Sequence, residues 1–178
     1  MNVPHLGTAL VKVMSPLFAI AMVICVYRVR KLSLADGLGL RRPPLLPTMF
    51  WMLLYLVVML GSNYLMFWRG PWDFTPWRQD PWLIDILRVL AVCFLGPIAE
   101  ELIFRGVLWG RLAQSRLGVI GATVISAVVW AVIHFNYSAG VIALFCLIGI
   151  LLGMARNQTR SVIPPMLMHI LWNLYAIW

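Results

Sequence analysis

Three short runs place ionisable and amide side chains where hydrocarbon should reject them. Glu100, Glu101 and Arg105 lie in Pro97-Ile-Ala-Glu-Glu-Leu-Ile-Phe-Arg-Gly106, His134 in Trp130-Ala-Val-Ile-His-Phe135, and His169 and Asn173 in Met168-His-Ile-Leu-Trp-Asn173. An ionisable residue at the centre of a membrane span costs about 2.5–3.5 kcal/mol on insertion scales, so each one is a functional-site candidate. Spacing sorts them further. Glu101 and Arg105 are four apart, stack on one helix face and can pair. Glu100 points about 100° away from Glu101 and has no partner at helical spacing. One carboxylate is therefore neutralised locally while its neighbour stays free. His169 and Asn173 are also four apart, so both can face one cavity.

The composition defines the elements that must hold these groups. Of 178 residues, 62% are hydrophobic and 11% are charged, against about 45–50% and about 25% in soluble domains. So few charges cannot coat a globule of this size, and a water-soluble enzyme, a free nucleic-acid binder and a disordered chain are all excluded. The expectation is an all-α polytopic transmembrane helix bundle of about six spans, in one membrane domain covering residues 1–178. Apolar windows place the spans at about Ala9–Tyr27, Thr48–Trp68, Trp82 to beyond Arg105, Leu117–Phe135, Ser138–Ala155 and Val162–Trp178. Residues 82–178 hold all the polar runs, while residues 1–81 supply two spans and a Trp-rich loop. The first span reads as a retained anchor, because Tyr-Arg-Val-Arg-Lys31 follows it instead of a small-residue cleavage site.

Depth arithmetic tests whether the polar groups can meet. Spans three and four form an antiparallel hairpin, and two residues are level when their numbers sum to twice the turn centre. Glu100 and His134 give a centre at residue 117, inside the polar turn Gln114-Ser-Arg-Leu-Gly118. Both then lie about 21–24 Å in from one face at about 1.5 Å per residue, with His169 and Asn173 at about 12 and 18 Å. Gly96-Pro97, one turn before Glu100, predicts a kink that would admit water to the carboxylate.

The net charge is +8. In this setting it reads as basic loops held on the cytoplasmic side, not as a nucleic-acid footprint. Arg28, Arg30, Lys31, Arg41, Arg42, Arg111, Arg116, Arg156 and Arg160 fall in alternate loops. Arg69 and Arg78, offset by Asp73 and Asp80, fall in the opposite ones. The expectation is a multi-pass protein of the cell membrane with both termini outside the cytoplasm. Trp68, Trp72, Trp77 and Trp82 predict a loop lying at the headgroup level. Cys25, Cys93 and Cys146 lie in apolar stretches and read as packing residues. His5 reads as solvated, and Asp85 with Arg88 as a local pair.

Together, Glu100-Glu101-x-x-x-Arg105, Trp130-x-x-x-His134 and His169-x-x-x-Asn173, each on its own helix, resemble the CPBP family of intramembrane endopeptidases (CAAX prenyl proteases and bacteriocin-processing proteins) over about residues 95–175. Trp130 stands where the family usually has Phe; it keeps an aromatic wall and reshapes the substrate groove. The resemblance implies a glutamate-dependent protease. Glu100 would be the general base on a water that His134 holds. His169 and Asn173 would donate to the tetrahedral oxyanion, and Arg105 would orient Glu101. It implies no cofactor, and a membrane-anchored or lipid-modified peptide as substrate. Fixed donors of this kind are worth about 2.7–4 kcal/mol each in known hydrolases. Zinc is the competing mechanism, since Glu100, Glu101, His134 and His169 are plausible ligands, although the His-Glu-x-x-His helix is absent. Two other readings compete: a non-catalytic immunity or scaffold protein whose polar groups hold helices together, and a proton-coupled transporter with a Glu–His relay. The sequence carries no signal of oligomeric state.

Overall fold

The computed structural model describes residues 3–66 and 79–177. The described residues form six helices and no strand: α1 (Val3–Val29), α2 (Leu45–Met66), α3 (Trp82–Ala113), α4 (Gly118–Val132), α5 (Ala139–Thr159) and α6 (Ile163–Ile177). The all-α membrane bundle expected from composition is what forms. Four helices are long and apolar enough to cross a membrane: His5–Val29, Leu45–Ser62, Trp82–Ala113 and Ala139–Thr159. The fourth and sixth predicted spans are shorter than their apolar windows suggested, at 15 residues each. In α4 the reason is local. Gly118 at φ 60° opens it, and after Val132 the backbone tightens into turns, with the His134 N–H donating to Ala131 O at 3.1 Å. His134 thus sits on the turn that ends α4. The tryptophans at 68, 72 and 77, with Arg69, Asp73 and Arg78, lie outside the described residues; Trp82 is exposed.

The core positions the site. Trp51, Tyr55 and Met59 of α2 pack on Trp130, Phe145, Ile148, Met168 and Trp172 from α4, α5 and α6. α4 and α5 approach along a seam of small residues, the usual way membrane helices come close. A Cβ added at Gly149 would lie 2.9 Å from Ala127 Cα, and one at Gly153 would lie 2.9 Å from the Thr123 methyl. Gly149→Ala should therefore push α5 off α4 and cost about 1–3 kcal/mol, the range for overpacking. An unchanged thermal melt in detergent would show that the seam yields freely.

Three joints fix the helix ends. Between α1 and α2, the basic segment forms a π-helical turn at Leu34–Leu38, capped by Ser33 and closed by Gly39 at φ 75°. Asp36 pairs with Arg41 there. Its carboxyl is held below the usual value by the Ser33 hydroxyl first and by Arg41 second. The Gly39 carbonyl accepts from Val162 N at 2.9 Å, and Leu38 is fully buried under Gly106. At the opposite end, Asp80 binds His5 at 2.8 Å and Arg88 at 2.6 Å, tying the start of α1 to the start of α3. His5 is exposed, as expected of a solvated residue, and it also hydrogen-bonds Asp80. Arg88 prefers Asp80 to Asp85, which lies at 3.7 Å. Burial pushes the Asp80 carboxyl up, but hydrogen bonds from Arg88 and His5 outweigh it, and the net shift is downward. All three cysteines are free thiols.

Candidate active site

The 32-residue α3 is not uniform. It widens into π-helical turns at Leu90–Leu95 and again at Leu102–Leu108, with α-helix at Gly96–Glu101 between them. Pro97 explains the first. The Gly96 N–H donates back to Ala91 O in the wide register, and in that register the next carbonyl, Val92 O, would need the N–H of residue 97, which proline lacks. Asn173 of α6 supplies the missing donor: its Nδ2 lies 2.8 Å from Val92 O. The disturbance at Gly96-Pro97 takes the form of this wide turn, and the Asn173 bond that repairs it ties α6 to α3. Asn173→Ala should strand that half-buried carbonyl and cost about 1–3 kcal/mol. An Asn173→Ala protein that melts at the parent temperature would mean that Val92 O finds another donor.

The second wide turn begins at the Glu pair. Glu101 is fully buried, and its Oε1 lies 2.9 Å from Arg105 Nη1, the pairing expected from the spacing of four. The same oxygen lies 3.0 Å from His169 Nδ1. The Arg105 Nη2 donates to Gly149 O at 3.3 Å, and the guanidinium sits 5.0 Å from the centre of the Trp130 ring. One buried carboxylate thus joins α3 to α6, while its arginine reaches α4 and α5.

Glu100 is half-buried and looks the other way, into a cavity of about 630 Å³. Trp130, His134, His169 and Asn173 line the same cavity. The level placement of Glu100 and His134 from hairpin arithmetic therefore brings them to one hollow. The expectation of an unpartnered Glu100 needs correction, because the Trp130 indole N–H donates to its Oε2 at 2.6 Å. Trp130 is more than a groove wall. Its ring also stands edge-on to His134 at 5.1 Å and to His169 at 5.3 Å. Phe145 closes the far side of His134 at 5.0 Å.

The hydrogen bonds fix both imidazole tautomers. His134 Nδ1 is 2.8 Å from Trp130 O. A carbonyl only accepts, so Nδ1 carries the proton and the neutral ring has its lone pair on Nε2. His169 Nδ1 faces the Glu101 carboxylate, which also only accepts, and the same reasoning applies. In the neutral state both Nε2 atoms are acceptors. His169 donates from Nε2 only when both ring nitrogens carry a proton.

Two wall elements carried no recognised signal. Lys12, Ser15 and Pro16 of α1 and Tyr55 of α2 also line the cavity. The Tyr55 side chain is 1% exposed and its hydroxyl has no hydrogen-bond partner among the described residues. A tyrosine, in place of phenylalanine, inside an otherwise apolar stripe was the available hint. Among the described residues no three His, Cys, Asp or Glu side chains converge as a metal-ligand set, and Glu101 is already committed to Arg105 and His169.

The Glu100 carboxylate, two oriented imidazoles and an amide thus surround one cavity in an apolar bundle. The chain belongs to the type II CAAX prenyl endopeptidase Rce1-like family, which it matches over residues 81–175. Two curated relatives are each similar over about half of the chain. The membrane-embedded CAAX protease MroQ of Staphylococcus aureus (strain USA300) is 27% identical over 94 residues, covering 50% of this chain and 37% of that protein. The protein named Putative membrane peptidase YdiL of Bacillus subtilis (strain 168) is 24% identical over 91 residues, covering 51% and 36%. The match therefore spans little more than a third of either relative's length. No solved structure matches the chain. Helices α1 and α2 fall outside the matched segment, yet both form walls of the cavity.

Proposed function

We propose that this protein is an intramembrane endopeptidase that hydrolyses a peptide bond in a membrane-anchored or lipid-modified substrate, through a water activated by Glu100 and without a metal. The observation that carries the reading is that Glu100, His134, His169 and Asn173, brought by three helices, line one cavity. Glu100 takes the proton of the attacking water. The His134 Nε2 lone pair accepts that water's second O–H and aims it. His169, oriented by Glu101, and the second amide proton of Asn173 are the donors to the oxyanion, the imidazole giving Nε2–H when both its nitrogens carry a proton. The Trp130 N–H fixes Glu100 in place without consuming its second oxygen.

The scaffold reading has one observation in its favour: Asn173, Glu101 and Arg105 all make helix-to-helix or buried bonds. It gives no reason for a second carboxylate, half-buried in the cavity beside two imidazoles. We place both termini outside the cytoplasm on the loop charges, and a reporter fused to the C-terminus tests that placement. The deciding experiment is cleavage of a fluorogenic, membrane-anchored peptide by the reconstituted protein, with and without a strong chelator. Chelator-resistant hydrolysis supports the metal-free reading, and loss of hydrolysis on chelation, restored by zinc, overturns it.

A further inference from the structure

We propose that the groove between the last turns of α1 and α3 is a binding site for a phospholipid of net negative charge, separate from the cavity of Glu100. The groove holds about 390 Å³ and is lined by Met22, Val26 and Arg30 from one wall and Val107 and Arg111 from the other. Each wall carries the same pattern. On α1, Met22, Val26 and Arg30 recur every four residues and so share a face. The Arg30 N–H donates to Val26 O at 3.0 Å, so the arginine continues that helical stripe past Val29. On α3, Val107 and Arg111 are likewise four apart.

The two helices run the same way. His5 near the start of α1 meets Asp80 at the start of α3, and the opposite ends share this groove. Both walls therefore change from apolar to cationic at the same depth. A hydrocarbon chain fits the deeper part, where Met22 and Val26 are 52% and 44% exposed. A phosphodiester fits the rim, where two guanidinium forks face it.

The arginines are free to do this. Arg41, Arg88, Arg105 and Arg156 each bind a carboxylate or a backbone carbonyl. Arg30 and Arg111 are exposed and have no such partner among the described residues. Two unpaired cations on one apolar groove favour a headgroup of net negative charge. A zwitterionic lipid would bring its own ammonium against them.

Native mass spectrometry of the full chain in detergent, with dioleoylphosphatidylglycerol and dioleoylphosphatidylcholine at equal concentration, tests the site. The expected result is one retained phosphatidylglycerol, preferred at least about tenfold. Arg30→Gln with Arg111→Gln should weaken its retention roughly 30-fold, from two interfacial cations. The control pair Arg28→Gln with Arg116→Gln removes equal charge outside the groove and should leave retention within about threefold. Val26→Trp should fill the groove and expel the lipid with both arginines intact. Equal retention of the two lipids, equal loss in the control pair, or displacement of phosphatidylglycerol by millimolar inorganic phosphate would each overturn the proposal. Because neither groove arginine lines the Glu100 cavity, the site stands or falls independently of peptidase activity.

Discussion

Glu100→Gln should abolish hydrolysis and leave the fold as it is. A positioned general base contributes about 10²–10⁴-fold, and glutamine cannot take a proton from water. The substitution is close to neutral for packing. The amide oxygen still accepts the Trp130 N–H, and the side chain is already half-buried in the cavity. Single-turnover cleavage in lipid nanodiscs reads the rate, and a thermal melt of the same sample reads the fold. A loss of about 10³-fold with an unchanged melt is the expected pair. Full activity would remove Glu100 from the chemistry and return the cavity to a structural role. A lowered melt with the lost activity would call for Glu100→Asp, which keeps the carboxylate and should retain measurable turnover.

Arg105→Met should be the most destabilising single change in the bundle, at about 3–5 kcal/mol, the range for removing one partner of a buried ion pair. Both side chains are fully buried, and the guanidinium also satisfies Gly149 O. Its loss would leave the Glu101 carboxylate with His169 alone. The double change Glu101→Leu with Arg105→Met separates stability from chemistry. An apolar pair of similar volume is often neutral or stabilising, so the melt should recover most of the loss. Activity should not recover, because His169 then lacks the carboxylate that orients it. Recovery of both would mean that the network serves packing only, and recovery of neither would mean that α3 and α5 depend on the Gly149 contact.

Much of the site was legible because helix periodicity is a local rule. Glu101 and Arg105 four apart had to stack, and the polar turn at 114–118 placed Glu100 level with His134 by counting alone. What the spacing could not carry were contacts between distant segments. The Trp130 indole reaches Glu100 across 30 positions, His169 reaches Glu101 across 68, and Asn173 reaches Val92 across 81. None is periodic. The first depends on which way an aromatic ring turns, and the last on a carbonyl orphaned by a proline in another helix. Tyr55 offered only its hydroxyl as a hint, since an apolar helix does not tell which residue faces the cavity. The exposure of His5 was foreseen but not its partner, because Asp80 is 75 positions away. The fold class followed from composition, but the true length of α4 did not. An apolar window records which residues tolerate oil, and it continues through the turns that end this helix.

The brevity of α4 bears on how solvent and substrate reach the site. Fifteen helical residues rise about 22 Å, several ångströms less than the roughly 30 Å of acyl chain that a bilayer presents. Lipids bordering a short helix adapt by dimpling inward, which lowers the wet boundary locally. His134 stands on the turn that ends that helix. On the peptidase reading proposed above, such a depression would supply the reactant water, and a tethered peptide would meet the imidazole by drifting sideways in the leaflet.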